Sequence, residues 1–339
     1  MMINKILQPI ATHHHKGELN MIMLAYSLVC LIFGTTFLAI KIGVDAGAPP
    51  FFSAGLRFFM AGAVLFLFMV IRGKASFALL LRKEMLLTGA ALTFGTFSAL
   101  YWSEQYVSSG FAAVLSATGP MMILLMQTAF LRQKAPAYSL IGCIIGFTGV
   151  LLLVLPGLAV DVSPLWLIGC GVILIGECGY AAGAIYSKKV TTTLKSESPV
   201  ALNAAQMMHG GVLLFILSLF TEKVQPEVFL SFKTAGSLLY LTVVGSMVAH
   251  TLFYWLVAKT NPVFPSTWLY ISPPIAVGVG FLFYGETVTW ITVLGVFTII
   301  AGTILVNAGA LKQLLLKPKR STPQAQSAAD GTYPRKQIL

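Results

Sequence analysis

Apolar residues along this chain fall into long unbroken blocks, without the short alternation of a half-buried strand or the single apolar stripe of a surface helix. Ten such blocks are legible, at residues 20–42, 51–71, 85–106, 110–131, 137–155, 164–187, 199–220, 235–258, 264–284 and 288–310. A bilayer core about 30 Å thick is crossed by roughly 20 apolar residues, each rising about 1.5 Å along a helix. Each block therefore predicts a transmembrane helix. The connections are short and leave no room for a soluble domain. Only residues 1–19 and 311–339 fall outside, and Lys317–Leu339 reads as a basic disordered extension. The first block is too long, and lacks the following small-residue site, for a cleaved signal peptide.

Internal repetition refines this picture. A shift of 153 residues superposes Tyr101-Trp102 on Tyr254-Trp255, Pro120 on Pro273, Gly142 on Gly295 and Gly149 on Gly302. A shift of 149 pairs Pro50 with Pro199, Gly62 with Gly211 and Leu65-Phe66 with Leu214-Phe215, and one of 147 pairs Lys41 with Lys188. Proline and glycine are conformationally costly in helices, so their coincidence is more telling than matched leucines. The fold predicted is an all-α integral membrane protein of ten transmembrane helices, built as two five-helix repeats at 20–155 and 164–310. An odd number of crossings per repeat inserts the second copy upside down, the architecture that supports alternating access around a midplane site.

Composition agrees. Of 339 residues, 57% are hydrophobic and 10% charged, far fewer charges than a water-facing surface carries, and the mean hydropathy is +0.85. The net charge of +11 does not point to nucleic acid, because its distribution is that of a topology signal. With the N-terminus in the cytoplasm, 18 of the 22 Lys and Arg lie on the cytoplasmic side and only Lys41, Lys223 and Lys233 on the other, with Arg57 left inside the membrane. The positive-inside rule then places both termini in the cytoplasm. Cys30, Cys143, Cys170 and Cys178 lie in apolar blocks without metal spacing and read as packing residues. The His13–His15 run is weak evidence for metal and could precede a start at Met21 or Met23.

Ionisable groups inside a membrane are expensive, so each is a candidate for function. Glu177 sits mid-way along the sixth block, where a carboxyl group must be protonated, paired or beside a wet cavity. It reads as a proton-, cation- or amine-binding group, with a structurally hydrogen-bonded acid as the alternative. His250 and Tyr254 share one helical face, and Tyr101 is the repeat counterpart of Tyr254. Trp102 and Trp255 point about 100° away, so the tyrosines are the expected cavity members. Thr36, Tyr180 and Trp268 complete the expected lining, Trp268 standing before Pro273-Pro274, which should bend its helix. Arg57 reads as a snorkelling or buried-pair arginine, His209 as a packed histidine, Lys41 and Glu104 as solvated helix ends, and Glu286 as a cap in a tight turn.

The residues also resemble a known family. Phe33-Gly34-Thr35-Thr36-Phe37-Leu38-Ala39-Ile40-Lys41, Ala54-Gly55-Leu56-Arg57-Phe58-Phe59 and the passage from Pro273 through Gly285-Glu286 to Gly295 and Gly302 are similar to signatures of the EamA-type drug/metabolite transporters. Two departures stand out: Gln133 where the family has an acid after the fourth helix, and Phe33 where tryptophan is commoner. The resemblance implies export of small metabolites, such as amino acids or similar polar compounds, across the inner membrane. No Walker, Gly-x-Ser-x-Gly or His-Glu-x-x-His motif or potassium-filter sequence is present, which argues against an ATPase, hydrolase or channel. The reading is thus a proton-coupled secondary exporter, not an enzyme. It needs no cofactor or metal; its partners are a small-molecule substrate and the bilayer, with a homodimer among the assemblies it allows. A facilitator or importer and a subunit that flips lipid-linked substrates are the alternatives.

Overall fold

The computed structural model describes residues 3–309 apart from 131, 133, 160–162, 260–264 and 266, and gives the backbone alone along 3–19, 153–159 and 257–258. Gln133 and the C-terminal extension lie outside the described residues, as do the side chains of His13–His15.

Among the described residues every regular element is helical. Seven helices are long and apolar enough to cross a membrane: α1 (Ile3–Asp45, apolar from Asn20), α2 (Pro50–Ile71), α3 (Lys83–Ser103), α4 (Ser109–Ala129), α6 (Pro164–Thr193), α7 (Pro199–Thr221) and α8 (Phe232–Leu256). Three further apolar helices have shorter fully described stretches: α5 (Ala137–Ala159, with side chains described over Ala137–Leu152), α9 (Trp268–Tyr284) and α10 (Trp290–Val306). Prolines start α2, α6 and α7 at their first turn, where the missing N–H has no intrahelical partner to lose. Large apolar side chains face outward, Leu219 at 80% and Phe220 at 84% exposure among them, an arrangement suited to lipid.

The repeat is visible in the backbone itself. Two short 3₁₀ helices, Phe77–Leu81 and Pro226–Leu230, stand 149 residues apart, the shift that pairs Pro50 with Pro199. Two π-helical stretches, Gly89–Gly95 within α3 and Leu241–Val248 within α8, occupy equivalent places just before the Tyr-Trp pairs. Such wider turns are uncommon and concentrate at functional sites.

Equivalent helices also pack on each other, and they do so antiparallel. On α2 and α7, a Cβ on Gly55 would lie 3.1 Å from the Gly211 carbonyl oxygen, and one on Gly62 would lie 2.7 Å from that of Ala204. On α5 and α10, a Cβ on Gly142 would lie 2.8 Å from the Gly302 oxygen, and one on Gly149 would lie 3.0 Å from that of Gly295. Each contact maps onto its neighbour when the repeats are exchanged, so the two halves are related by a pseudo-twofold axis that reverses helix direction. Lipid gives helices no hydrophobic push toward each other, and close backbone approach through small residues supplies the attraction instead.

Two details differ from expectation. α9 runs unbroken through Pro273 and Pro274, whose rings remove N–H donors only to carbonyls of its first turn. α4 instead is interrupted at Ala117-Thr118, just before Pro120. Cys30, Cys143 and Cys170 are buried, whereas Cys178 is exposed on the outside of the bundle, so it is not a packing residue of the core.

Candidate functional site

Arg57 is among the largest fully buried side chains of the described residues. The Glu222 carboxylate caps α2 by accepting from the N–H groups of Phe51 (2.7 Å) and Phe52 (2.9 Å), which fixes the start of the helix. Two turns later the Arg57 side chain points inward and is only 2% exposed. Its Nε donates to the Ser246 hydroxyl at 2.9 Å, and its Nη1 donates to the Tyr101 hydroxyl at 3.3 Å. The guanidinium lies over the rings of Phe58 (4.6 Å) and Phe97 (5.4 Å). No carboxylate among the described residues is within ion-pair distance of it. An interfacial, snorkelling role is therefore excluded: α3, α7 and α8 pack around this part of α2 and block any route to the headgroups.

Symmetry makes this contact more informative. The 149-residue shift places Gln206 of α7 opposite Arg57, and the 153-residue shift places Thr93 of α3 opposite Ser246. Thr93 donates to the Gln206 side-chain oxygen at 2.8 Å. Equivalent positions of a repeat's second helix and the other repeat's π-helical stretch are thus bonded twice, once by a charged donor on the helix and once, in the reverse direction, by a neutral acceptor.

His250, one turn beyond Ser246, directs Nδ1 at the Ser246 carbonyl oxygen (3.0 Å) and remains partly exposed. Its ring meets Phe33 edge-on at 5.4 Å, and Phe33 lies 4.5 Å from Trp268. Thr36 is buried here, with its hydroxyl proton committed to the Phe33 carbonyl at 2.7 Å. Neighbouring Thr35 bonds back to the Leu31 and Ile32 carbonyls, both at 2.9 Å, and also meets the Tyr240 hydroxyl of α8, 2.6 Å away.

Glu177 forms a second centre on α6. It is 4% exposed and lies within hydrogen-bonding reach of Ser116 on α4. Gly119 leaves it room, since a Cβ there would lie 2.7 Å from the Glu177 Oε2 and 3.1 Å from the Tyr180 ring. Tyr180 in turn is within electrostatic range of Glu177 and of Tyr254 on α8. The structure therefore groups Thr36, Tyr101, His250 and Trp268 around the Arg57 side of the interior, and Tyr180 and Tyr254 around Glu177. Tyr101 and Tyr254, equivalent in sequence, have different surroundings: Tyr101 is 1% exposed and bonded to Arg57, while Tyr254 is partly exposed.

The end of the bundle bearing Asp45 is tied together by polar contacts. Lys41 pairs with Asp45 (2.7 Å) and donates to the Glu104 carbonyl oxygen (2.9 Å), and the Tyr284 hydroxyl donates to Asp45 (2.9 Å). Glu104 is fully buried rather than solvated, and neither carboxyl oxygen has a hydrogen-bond partner. For Arg57 the sequence left open a snorkelling or a buried role, and the structure buries it. The usable signal was its neutral counterpart Gln206, exposed by the shift that aligns the prolines.

Comparison with known proteins follows the same division of the chain. The EamA-like transporter family matches it twice, over residues 20–155 and 167–308. YedA, an uncharacterized inner membrane transporter of Escherichia coli, is 32% identical over 284 residues, covering 82% of this chain and 88% of its own. YoaV, an uncharacterized transporter of Bacillus subtilis, is 26% identical over 285 residues, with coverages of 84% and 96%. Protein PagO of Salmonella typhimurium is 27% identical over 289 residues, with coverages of 84% and 92%. One solved crystal structure superposes with a TM-score of 0.59 over 87% of this chain and 99% of that one, at 15% identity, a likeness of fold alone.

Proposed function

The chain belongs to the EamA-like transporter family, and from that premise we propose that it is a multi-pass inner-membrane secondary exporter of small polar metabolites such as amino acids. The observation that carries this reading is the antiparallel packing of equivalent helices, α2 on α7 and α5 on α10. Two halves related in this way can exchange conformations and expose one central site to each side in turn. All ten helices cross the membrane in this reading, with both termini cytoplasmic as the Lys and Arg distribution requires. A fluorescent protein fused to the C-terminus that stays dark in a folded fusion would overturn that orientation.

Glu177 is the proton- or cation-coupling group, and Thr36, Tyr101, Tyr180, His250, Tyr254 and Trp268 line the path. Burial of Glu177 beside Ser116 and Tyr180 supports the assignment, because a carboxyl group in such surroundings changes its charge only when water or a cation reaches it. The test is flux in proteoliposomes with a panel of labelled amino acids, with and without an imposed pH gradient. Saturable flux enhanced by the gradient, with the enhancement lost in Glu177→Gln, is expected. Saturable flux indifferent to the gradient would make the protein a facilitator and Glu177 a structural acid.

A further inference from the structure

We infer that Arg57 is the carboxylate-binding residue of the transport path, so that the substrates carry a single carboxylate. This deepens the exporter reading and rests on it. Four observations converge. A guanidinium buried to 2% exposure without a carboxylate partner is among the most expensive groups a bundle interior can hold. At the pseudo-symmetric position the inter-repeat bond is made by a neutral amide, Gln206 accepting from Thr93 where Arg57 donates to Ser246. The other half of the scaffold thus makes its contact without a charge.

The third observation concerns donors. Of the five N–H groups of a guanidinium, the Nε–H is held by Ser246 and one on Nη1 by Tyr101, at a long 3.3 Å. Nη2 donates to no described residue and lies beside Gly245, where a Cβ would be 3.4 Å away, so no side chain covers it on that side. Nη2 is thus the one guanidinium nitrogen left without a partner among the described residues, and a charge-assisted bond from it is what a carboxylate would accept.

The fourth is location. Tyr101, which binds Arg57, borders a small cavity with room for about one water that also touches Ser53 of α2, Gly43 of α1 and Thr234 of α8. The hydroxyls of Ser53 and Thr234 are buried there without hydrogen-bond partners, at 7% and 1% residue exposure. Buried polar atoms left unpaired in one conformation point to a passage that is wet in another. The charged and titratable groups facing Arg57 are Tyr101 on α3, His250 on α8 and Glu104 after α3. A single guanidinium flanked by the rings of Phe58 and Phe97 suits a monoanionic carboxylate better than a phosphate dianion, which draws several cations or backbone donors.

The experiment uses purified full-length protein in detergent and follows the melting temperature against L-alanine, L-leucine and L-phenylalanine and their carboxamides. At least one acid is expected to raise the melting temperature saturably, while its carboxamide needs about tenfold more, as loss of one charge-assisted contact implies. Arg57→Gln, which copies Gln206, should fold and should bring that acid down to the level of its carboxamide. Arg57→Lys, keeping the charge without the fork, should fall between. Equal effects of acid and carboxamide on the wild type, unchanged acid binding by Arg57→Gln, or no response to any acid would overturn the assignment. Acid binding without flux in proteoliposomes would sink the exporter reading alone, and flux indifferent to the carboxylate would sink this one alone.

Discussion

The Glu286 Oε1 accepts two hydrogen bonds from Ser109, one from its backbone N–H and one from its hydroxyl, both at 2.6 Å. Oε2 accepts from the Gly110 N–H at 3.0 Å. Gly285, in the left-handed conformation at φ 69°, ends α9 and swings Glu286 across the repeat boundary onto the start of α4. The carboxylate thus satisfies N–H groups that the helix leaves open and meets the positive end of its dipole.

Removing this carboxylate should cost much more than removing an exposed one. Glu286→Ala is expected to destabilise the protein by about 2–4 kcal/mol, given several charge-assisted bonds to a partly buried acceptor. Glu286→Gln should lose roughly half as much, keeping one acceptor oxygen without the charge. Glu227→Ala, at an exposed position, should change little. Melting of the three variants in detergent decides the matter. Equal losses for Glu286→Ala and Glu227→Ala would show that the turn contributes nothing.

The α5–α10 seam offers a test with internal controls. A Cβ on Gly302 would overlap the backbone nitrogen of Gly146, so alanine there must push two helices apart. Gly302→Ala should cost about 1–3 kcal/mol of stability, the usual penalty for overpacking. Gly171→Ala on α6 and Gly278→Ala on α9 meet nothing within 4 Å and should be neutral or slightly stabilising. If all three behave alike in a melting series, close backbone contact is not what holds the seam.

Much of this architecture was legible in the sequence because it is written in glycine and proline. Shifts chosen to align Pro50 with Pro199 and Tyr101 with Tyr254 also align the 3₁₀ helices and the π-helical stretches, which no hydropathy profile predicts. The interior polar contacts were less legible, for a physical reason. Counting residues from a helix end measures depth along the axis, and by that measure Arg57 could reach the headgroups. Lateral escape is blocked by α3, α7 and α8, which no count along α2 reveals. Glu104 was misread in the same way: it closes a helix, but Lys41 and the Glu286 turn fold over it. Thr36 was readable as a hydroxyl inside the bundle that either faces a substrate or bonds back to its own helix, and it bonds back, to Phe33.

Glu104 leads to the sharpest expectation about the Asp45 end. Its carboxyl is fully buried, yet neither oxygen accepts or donates a hydrogen bond. Lys41 is near, but its ammonium binds Asp45 and the Glu104 backbone oxygen instead of the carboxyl. A buried polar group without partners costs about 1–3 kcal/mol, and apolar replacement of such groups is often neutral or stabilising. Glu104→Met, of similar volume, should therefore raise the melting temperature. Opening the Asp45 end would bring water to Glu104 and relieve the wild type of this cost, a relief the methionine variant does not gain. A carrier that must open there should consequently turn over more slowly with methionine at 104, while binding of substrate from the opposite side is unchanged. Proteoliposome flux and melting, measured on the same preparation, test both halves at once. A variant that melts lower would show that the carboxyl holds the Asp45 end together, and one that melts higher yet transports at the wild-type rate would show that opening this end does not limit turnover.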